Sequence, residues 1–467
     1  MNEYDSIIIG GGAGAFASAI KANELGAKTL MVNRGLPLGG TCVNVGCVPS
    51  KTLLWAGEVM HLAKNHNIPG IDIEVKNFDF ATVVQHELDL VAKLRDEKYE
   101  KVLKQLENVT HIEGSAVFVS PNEIEVNGQT YQAKKFIIAA GSTTTVPPIE
   151  NIQEVGYLTH IEALQIKNLP KELIVVGAGP LGLEFGQMYA RFGTKVTVLQ
   201  KNVSIFPPAE RELTDRLAEI LTKEGITIKT NVQIKSARKE YNRKVLTYIV
   251  GNTQEEVSAD EILLATGKTP NTQELNLNKA GVNVDEKQAI KVTPQFQTSQ
   301  PHIFAVGDIT NLPIREEPTA GKEGTLATEN ALKDAKNSID YNFVPWTIFT
   351  DPQLAGVGLT EDQEMKQLER CLCRTVSFTD VPKAIIMNRT EGLIKMAVHP
   401  DTKVILGIHI LAPNAGEIIA QAMVLVKNKN TIDDVVNSLP MFPTLSEAIK
   451  IAALSFTTDI SKLSCCV

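Results

Sequence analysis

The chain has 467 residues, is 43% hydrophobic and 21% charged, and carries a formal net charge of −8. At roughly 150 residues per domain, that length predicts about three domains. The acidic balance, with no Lys/Arg stripe, excludes a nucleic-acid partner, because phosphate binding needs a clustered basic footprint. No apolar run reaches the roughly 18 residues that span a bilayer. The acidic opening Met1–Asp5 lacks the basic and apolar regions of a signal peptide. Six cysteines are too few for a secreted disulfide scaffold. A cytoplasmic protein with no membrane partner is expected.

Ser6–Ile9 reads as the first strand, a short apolar run of the kind buried in a parallel sheet. Gly10-Gly11-Gly12-Ala13-Gly14-Ala15 follows, then a helical pattern to Gly26 and a second strand at Thr29–Val32. This is a βαβ opening with a G-x-G-x-x-A fingerprint, in which glycine lets backbone approach a pyrophosphate at a helix N-terminus. Asn33 ends the second strand, where an acid normally binds the adenosine ribose; asparagine can still hydrogen-bond a hydroxyl. Next comes Gly39-Gly40-Thr41-Cys42-Val43-Asn44-Val45-Gly46-Cys47-Val48-Pro49-Ser50-Lys51. A C-x4-C motif in such a chain reads as redox-active or metal-binding. Pro49 is expected at the first position of a helix.

The fingerprint recurs at Gly177-Ala178-Gly179-Pro180-Leu181-Gly182, between strands at Leu173–Val176 and Lys195–Leu199. Two fingerprints in strand-loop-helix-strand context imply two dinucleotide sites. Phe136–Gly141 and Ile262–Gly267 are expected as strands returning to the first domain, and Ile303–Asp308 as a third, closing on an acid. Val146-Pro147-Pro148 marks a crossover. The expected organisation is a first nucleotide domain over 1–150 and 268–340, a second over 151–267, and a third domain over 341–467. At the end of the second unit's strand stand Gln200 and Lys201, with no acid to repel a 2′-phosphate, so NADPH is favoured over NADH. Cys371 and Cys373 read as an alternating strand with one buried thiol. With eight scattered histidines and no matching cluster, no zinc site is expected.

Together these motifs resemble the flavin disulfide reductases, the class I pyridine nucleotide-disulfide oxidoreductases, which include glutathione reductase, dihydrolipoamide dehydrogenase and mercuric reductase. Cys42–Cys47 with Pro49-Ser50-Lys51 is similar to their redox motif. Ala265–Asn271 and Gly307-Asp308 resemble two further signatures, and Phe349–Gln353 the start of their dimerisation domain. The resemblance implies an α/β fold: two Rossmann-like domains, for FAD and NAD(P), and a C-terminal α+β dimerisation domain. FAD would meet Gly10, Gly12, Gly14, Ala15, Asn33, Gly40, Thr41, Lys51, Ala116, Ala140, Gly141 and Asp308. The nicotinamide cofactor would meet Gly177, Gly179, Gly182, Gln200, Lys201 and Gly267. It also implies that Cys42 and Cys47 form a reducible disulfide, with Cys47 nearest the flavin and Cys42 exchanging. Lys51, with Glu184 as partner acid, would stand by the reactive flavin nitrogen. A helix N-terminus at Cys47 would favour its thiolate. A homodimer with an active site shared between subunits is expected.

Two features narrow the resemblance. Disulfide reductases of the family carry a histidine acid/base before a Pro-Thr, with a glutamate beyond; here Phe442 stands before Pro443-Thr444, and Glu447 remains. Phenylalanine cannot move a proton, and a metal ion needs no such proton. The chain then ends Ser464-Cys465-Cys466-Val467. Mercuric reductases resemble it in ending on a vicinal cysteine pair, which takes Hg(II) from small-molecule thiols and passes it to the inner pair. Thiolate softness suits that ion. Cys42, Cys47, Cys465 and Cys466 are thus the expected metal-handling residues of an NADPH-dependent Hg(II) reductase. The alternatives are a disulfide reductase of the thioredoxin reductase type and a flavoprotein that sequesters soft metals.

Overall fold

The computed structural model describes residues 2–462 and Ser464. Cys465 and Cys466 lie outside the described residues. The first domain is built on β1 (Asn2–Ile9), α1 (Ala13–Glu24) and β2 (Thr29–Asn33). β1 pairs in parallel with β2 on one side and with the strand Gln129–Ile138 on the other. The sheet extends beyond β2 through Val109–Glu113. Ile7 and Ile9 face one core cluster and Ile8 the other, and all three are buried. A strand covered on both faces explains the unbroken apolar run. The strand Ile303–Ala305 joins this sheet alongside Phe136–Ile138, so the chain returns here after a long excursion.

The excursion contains a second, wholly parallel sheet, in the order Thr227–Lys229, Lys195–Leu199, Glu172–Val176, Glu261–Leu264. This corrects one expectation. Ile262–Leu264 does not return to the first domain; it pairs with Ile174–Val176 and completes the second sheet. Sequence periodicity cannot tell which sheet a buried run joins, because both offer the same apolar slot. The crossing back occurs one step later, where Lys268–Pro270 pairs antiparallel with Ser142–Thr144.

The C-terminal portion is a five-stranded antiparallel sheet in the order Trp346–Ile348, Gln353–Gly358, Ile405–Ala412, Leu393–Val398, Cys373–Ser377. The helices Ala415–Lys427 and Glu447–Leu454 contribute to its core through Ile418, Ala422, Ala448 and Ile449. Among the described residues no helix is long and apolar enough to cross a membrane.

Candidate active site

Cys42 and Cys47 lie on two consecutive helices, α2 (Gly40–Val45) and α3 (Cys47–Asn65), separated only by Gly46. A Cβ on Gly46 would sit 2.9 Å from the Thr41 carbonyl oxygen, so only glycine lets the chain turn this tightly. Cys47 is the first residue of α3, and Pro49 the third rather than the first as expected. Pro49 still falls inside the first turn, where a missing N–H costs no helical bond. The shift puts Cys47 itself at the positive end of the helix dipole.

Both cysteines are free thiols that share a hydrogen bond. That bond, donated by Cys42, holds the Cys47 thiol below the ordinary range, and the Lys51 charge adds to it. The Cys42 thiol is pushed up in turn, by the same bond and by burial. The two thiols are thus coupled, and Cys47 is the more acidic of the pair.

Lys51 stands one helical turn beyond Cys47. Its Nζ donates to Glu184 Oε2 at 2.7 Å and lies 4.6 Å from the centre of the Phe349 ring. Glu184 is buried, and its other oxygen accepts from the Phe349 backbone N–H at 2.9 Å. Glu184 lies on the helix Pro180–Phe192, which also carries Gln187 and Arg191. Spacings of three and four put these side chains on one helix face. Gln187 exchanges two hydrogen bonds with the Asp351 backbone, at 2.7 and 2.8 Å. Arg191 pairs with the Asp351 carboxylate at 3.1 Å, and Arg389 pairs with its other oxygen at 2.5 Å. One helix of the second nucleotide domain is thus pinned to the start of the C-terminal domain and to the helix behind the dithiol.

A cleft of about 530 Å³ opens beside the dithiol loop, within the size range of small-molecule and cofactor sites. Gly10, Gly12, Asn33, Gly40 and Thr41 line one wall, and Ala116, Ala140 and Gly141 another. Gly10 has φ 137°, and a Cβ there would lie 2.2 Å from the Ala139 carbonyl oxygen. The N-cap of α1 is Gly12, with no side-chain cap and no acid in the first turn. Its unpaired N–H groups border a cleft suited to an anionic group. These features fit a flavin dinucleotide. Gly14 and Ala15 lie behind the cleft; Gly14 packs closely against Ala320 and Val306. Asp308 follows Ile303–Ala305 in a short 3-10 turn and accepts from the Ser142 hydroxyl at 2.6 Å, Ser142 itself being a lining residue. Asn33 is buried and donates to the Leu36 carbonyl at 2.9 Å, which holds the loop that follows β2.

In the second nucleotide domain, Gly179 caps the helix Pro180–Phe192, again without a side-chain cap or an acid in the first turn. A Cβ on Gly182 would lie 1.9 Å from the Gly177 carbonyl oxygen, so helix and loop touch there backbone to backbone. This loop fits a nicotinamide dinucleotide by the same reasoning. Gln200 is turned inward: its Oε1 accepts from Ala178 N at 3.3 Å and its Nε2 donates to Ser204 O at 3.2 Å. Lys201 is exposed beside it. Gly267 takes φ 99° and accepts from the Thr145 backbone N–H at 3.0 Å, at the crossing between domains.

Sequence reasoning missed three residues. Asn44, buried between the cysteines, donates to the carbonyls of Pro37, Leu38 and Gly40 at 2.8 to 3.1 Å, and accepts from Arg95 at 3.2 Å. It ties the dithiol loop to the chain before it, and its place inside the motif was the available signal. Tyr99 lies beside the dithiol, its phenol pushed up to about 12 by burial and by Cys42. Glu317 raises both thiols. Nothing local in the sequence marks Tyr99 or Glu317. The C-x-C reading also needs correction. Both thiols are half-buried rather than one being core, and Cys371, Cys373 and Glu361 form a group whose ligand atoms lie within 4.8 Å of one another. The group beside the thiols is a carboxylate on a neighbouring helix, with Cys371 Sγ donating to Glu361 Oε1 at 3.5 Å.

Over residues 4–335 the chain matches the pyridine nucleotide-disulphide oxidoreductase family, and over residues 344–453 that family's dimerisation domain. It is 40% identical over 465 residues to a mercuric reductase of Staphylococcus aureus, covering 99% of this chain and 84% of that one. A dihydrolipoyl dehydrogenase of Thermus scotoductus is 36% identical over 467 residues, with 97% of each chain covered. Among solved structures, the HOCl-induced flavoprotein disulfide reductase RclA of Escherichia coli superposes with a TM-score of 0.87. It is 27% identical, with 97% of this chain and 100% of that chain covered.

Proposed function

The chain belongs to the pyridine nucleotide-disulphide oxidoreductase family, and we propose that this member is a cytoplasmic, homodimeric, NADPH-dependent reductase of Hg(II). In this reading NADPH becomes NADP+ and a proton, and Hg(II) gains the electron pair and leaves as Hg(0). Bound FAD supplies the redox chemistry between the two. The chain's own residues bind and orient. Cys42 and Cys47 ligate the ion as a soft dithiolate. Lys51 and the N-terminus of α3 favour the thiolate state, and Glu184 fixes Lys51. Cys465 and Cys466 collect the ion from small-molecule thiols for the partner's inner pair.

The observation that carries this reading is at Phe442. It is exposed, and Glu447, which would orient a histidine there, accepts instead from the Thr444 backbone N–H at 3.0 Å. With phenylalanine at 442 that stretch offers no imidazole to protonate a leaving thiol, a group that a thiol-disulfide substrate would use and Hg(II) would not. Similarity to mercuric reductases supports the same reading. Similarity to a dihydrolipoyl dehydrogenase and to a disulfide reductase favours a second reading, thiol-disulfide turnover.

The deciding experiment is NADPH oxidation with Hg(II) in excess small thiol, trapping mercury vapour, in the wild type and in Cys465→Ala/Cys466→Ala. Mercury-dependent oxidation with Hg(0) released, weakened by the tail substitutions, is expected. Disulfide turnover without Hg(0) would move the assignment to the second reading. NADPH bleaching the bound flavin would exclude a purely sequestering protein. Two variants extend the test. Phe442→His is expected to raise the ratio of disulfide to mercury turnover about 10²-fold, the lower end of general acid–base assistance. A steady-state comparison that leaves this ratio unmoved counts against the role assigned to Phe442. Lys201→Glu is expected to raise the KM for NADPH about 10-fold and leave that for NADH nearly constant, as for loss of a hydrogen bond to a charged phosphate. Equal changes with both cofactors would remove Lys201 from 2′-phosphate recognition.

A further inference from the structure

Away from the dithiol, the C-terminal domain holds a second pair of cysteines. Cys373 opens the strand Cys373–Ser377, with Cys371 two residues earlier. In extended chain a spacing of two puts both side chains on one face. Facing them is the helix Glu361–Leu368, whose Glu361 and Glu364, three apart, share a face. The pairing is one to one. Cys371 Sγ donates to Glu361 Oε1 at 3.5 Å and Cys373 Sγ to Glu364 Oε2 at 3.3 Å.

The carboxylates are held independently of the thiols. Glu361 Oε2 accepts from Lys395 Nζ at 2.5 Å, and Lys395 is itself buried. Glu364 is fully buried, and its Oε1 accepts from the Leu372 backbone N–H at 3.3 Å. The thiols remain half-exposed, so the group is fixed from behind and open from in front.

We propose that Cys371, Cys373 and Glu361, with Glu364 as fourth donor, form a binding site for a thiophilic d10 divalent cation of the zinc and cadmium class. The donor chemistry selects it: two sulfurs and carboxylate oxygens suit such an ion and not magnesium or calcium. The geometry is close. The ligand atoms of Glu361, Cys371 and Cys373 lie within 4.8 Å of one another. Metal–sulfur and metal–oxygen bonds of about 2.3 and 2.1 Å in a tetrahedron need ligand atoms about 3.5–3.8 Å apart. Closing that gap takes side-chain movements of about 1 Å. On binding, the two thiol protons leave, and each S–H···O contact becomes sulfur–metal–oxygen. Lys395 acts as a positioning residue, orienting Glu361 as outer-shell partners orient metal ligands. This site stands apart from the mercury reading and does not depend on it.

The test uses the flavin-loaded full chain with Cys42, Cys47, Cys465 and Cys466 all changed to serine, which leaves only Cys371 and Cys373 of the six cysteines. Titration with Cd(II), followed by thiolate-to-cadmium ultraviolet absorption and equilibrium dialysis, is expected to show one ion per chain. Adding Cys371→Ser and Cys373→Ser should remove the band and lower bound metal more than 10-fold. Glu361→Gln and Lys395→Met should each weaken binding about 10-fold or more. In the otherwise native chain, the Cys371→Ser/Cys373→Ser pair should lower bound Cd(II) by one per subunit with flavin content intact, which guards against a folding defect. Absence of the thiolate band, or metal retained once both cysteines are gone, would overturn the proposal.

Discussion

Cys47→Ser is expected to lower NADPH-dependent turnover by roughly 10³-fold or more, the scale on which removing a bond-forming group acts. Serine keeps the volume and the position at the head of α3 but offers no thiolate and no soft ligand. The flavin cleft should still load, because Cys47 is not among its lining residues. Turnover is the readout, with flavin content as control. Wild-type rates in this variant would show that the inner pair is not the acceptor.

A companion measurement isolates the shared proton. The Cys42 hydrogen bond holds the Cys47 thiol below its ordinary range. Above that lowered pKa the thiolate dominates, so alkylation of wild-type Cys47 should persist to lower pH than for a free thiol. Cys42→Ala removes the donor, and the alkylation profile should shift toward higher pH. A profile unmoved by Cys42→Ala would leave Lys51 and the helix dipole as the stabilising agents.

Asp351→Ala is the second large effect, on stability rather than chemistry. Asp351 is buried and pairs with Arg191 and Arg389, which are themselves buried or nearly so. Breaking a buried pair from one side typically costs about 3–5 kcal/mol, because the remaining charge is left desolvated. Glu224 and Glu391 stay with the two arginines, which places the expectation near the lower end. Burial alone would raise the Asp351 carboxyl, but Arg389 and Arg191 together hold it below the ordinary carboxylate range. The sign follows: this stability is present above the ordinary Asp pKa of about 3.9 and is lost as pH falls through the lowered value. The difference in unfolding temperature between wild type and variant should therefore hold steady from about pH 8 to pH 5 and close only below about pH 3.9. A variant as stable as wild type at neutral pH would mean that Gln187 alone holds the junction.

What the amino-acid sequence determined by itself is local. Both βαβ units were legible because a buried parallel strand must be apolar on both faces, and because the turn at Gly10 and the close helix–loop contact at Gly182 both need glycine. The dithiol motif was legible for the same reason: Cys42, Gly46 and Cys47 are neighbours along the chain, and a tight turn between two helices dictates their order. That position 442 carries no acid/base group needed only the residue's identity. The tertiary structure decided the rest. Ile262–Leu264 could have filled an apolar slot in either nucleotide sheet, and only its pairing with Ile174–Val176 placed it. Glu184, Gln187 and Arg191 form a helix face in sequence, but their partners at Phe349 and Asp351 lie 160 to 165 residues away. Glu361 and Glu364 meet the two thiols only because a helix folds back over the start of an edge strand. Periodicity and turn chemistry act over a few residues, whereas these contacts form when separate elements pack.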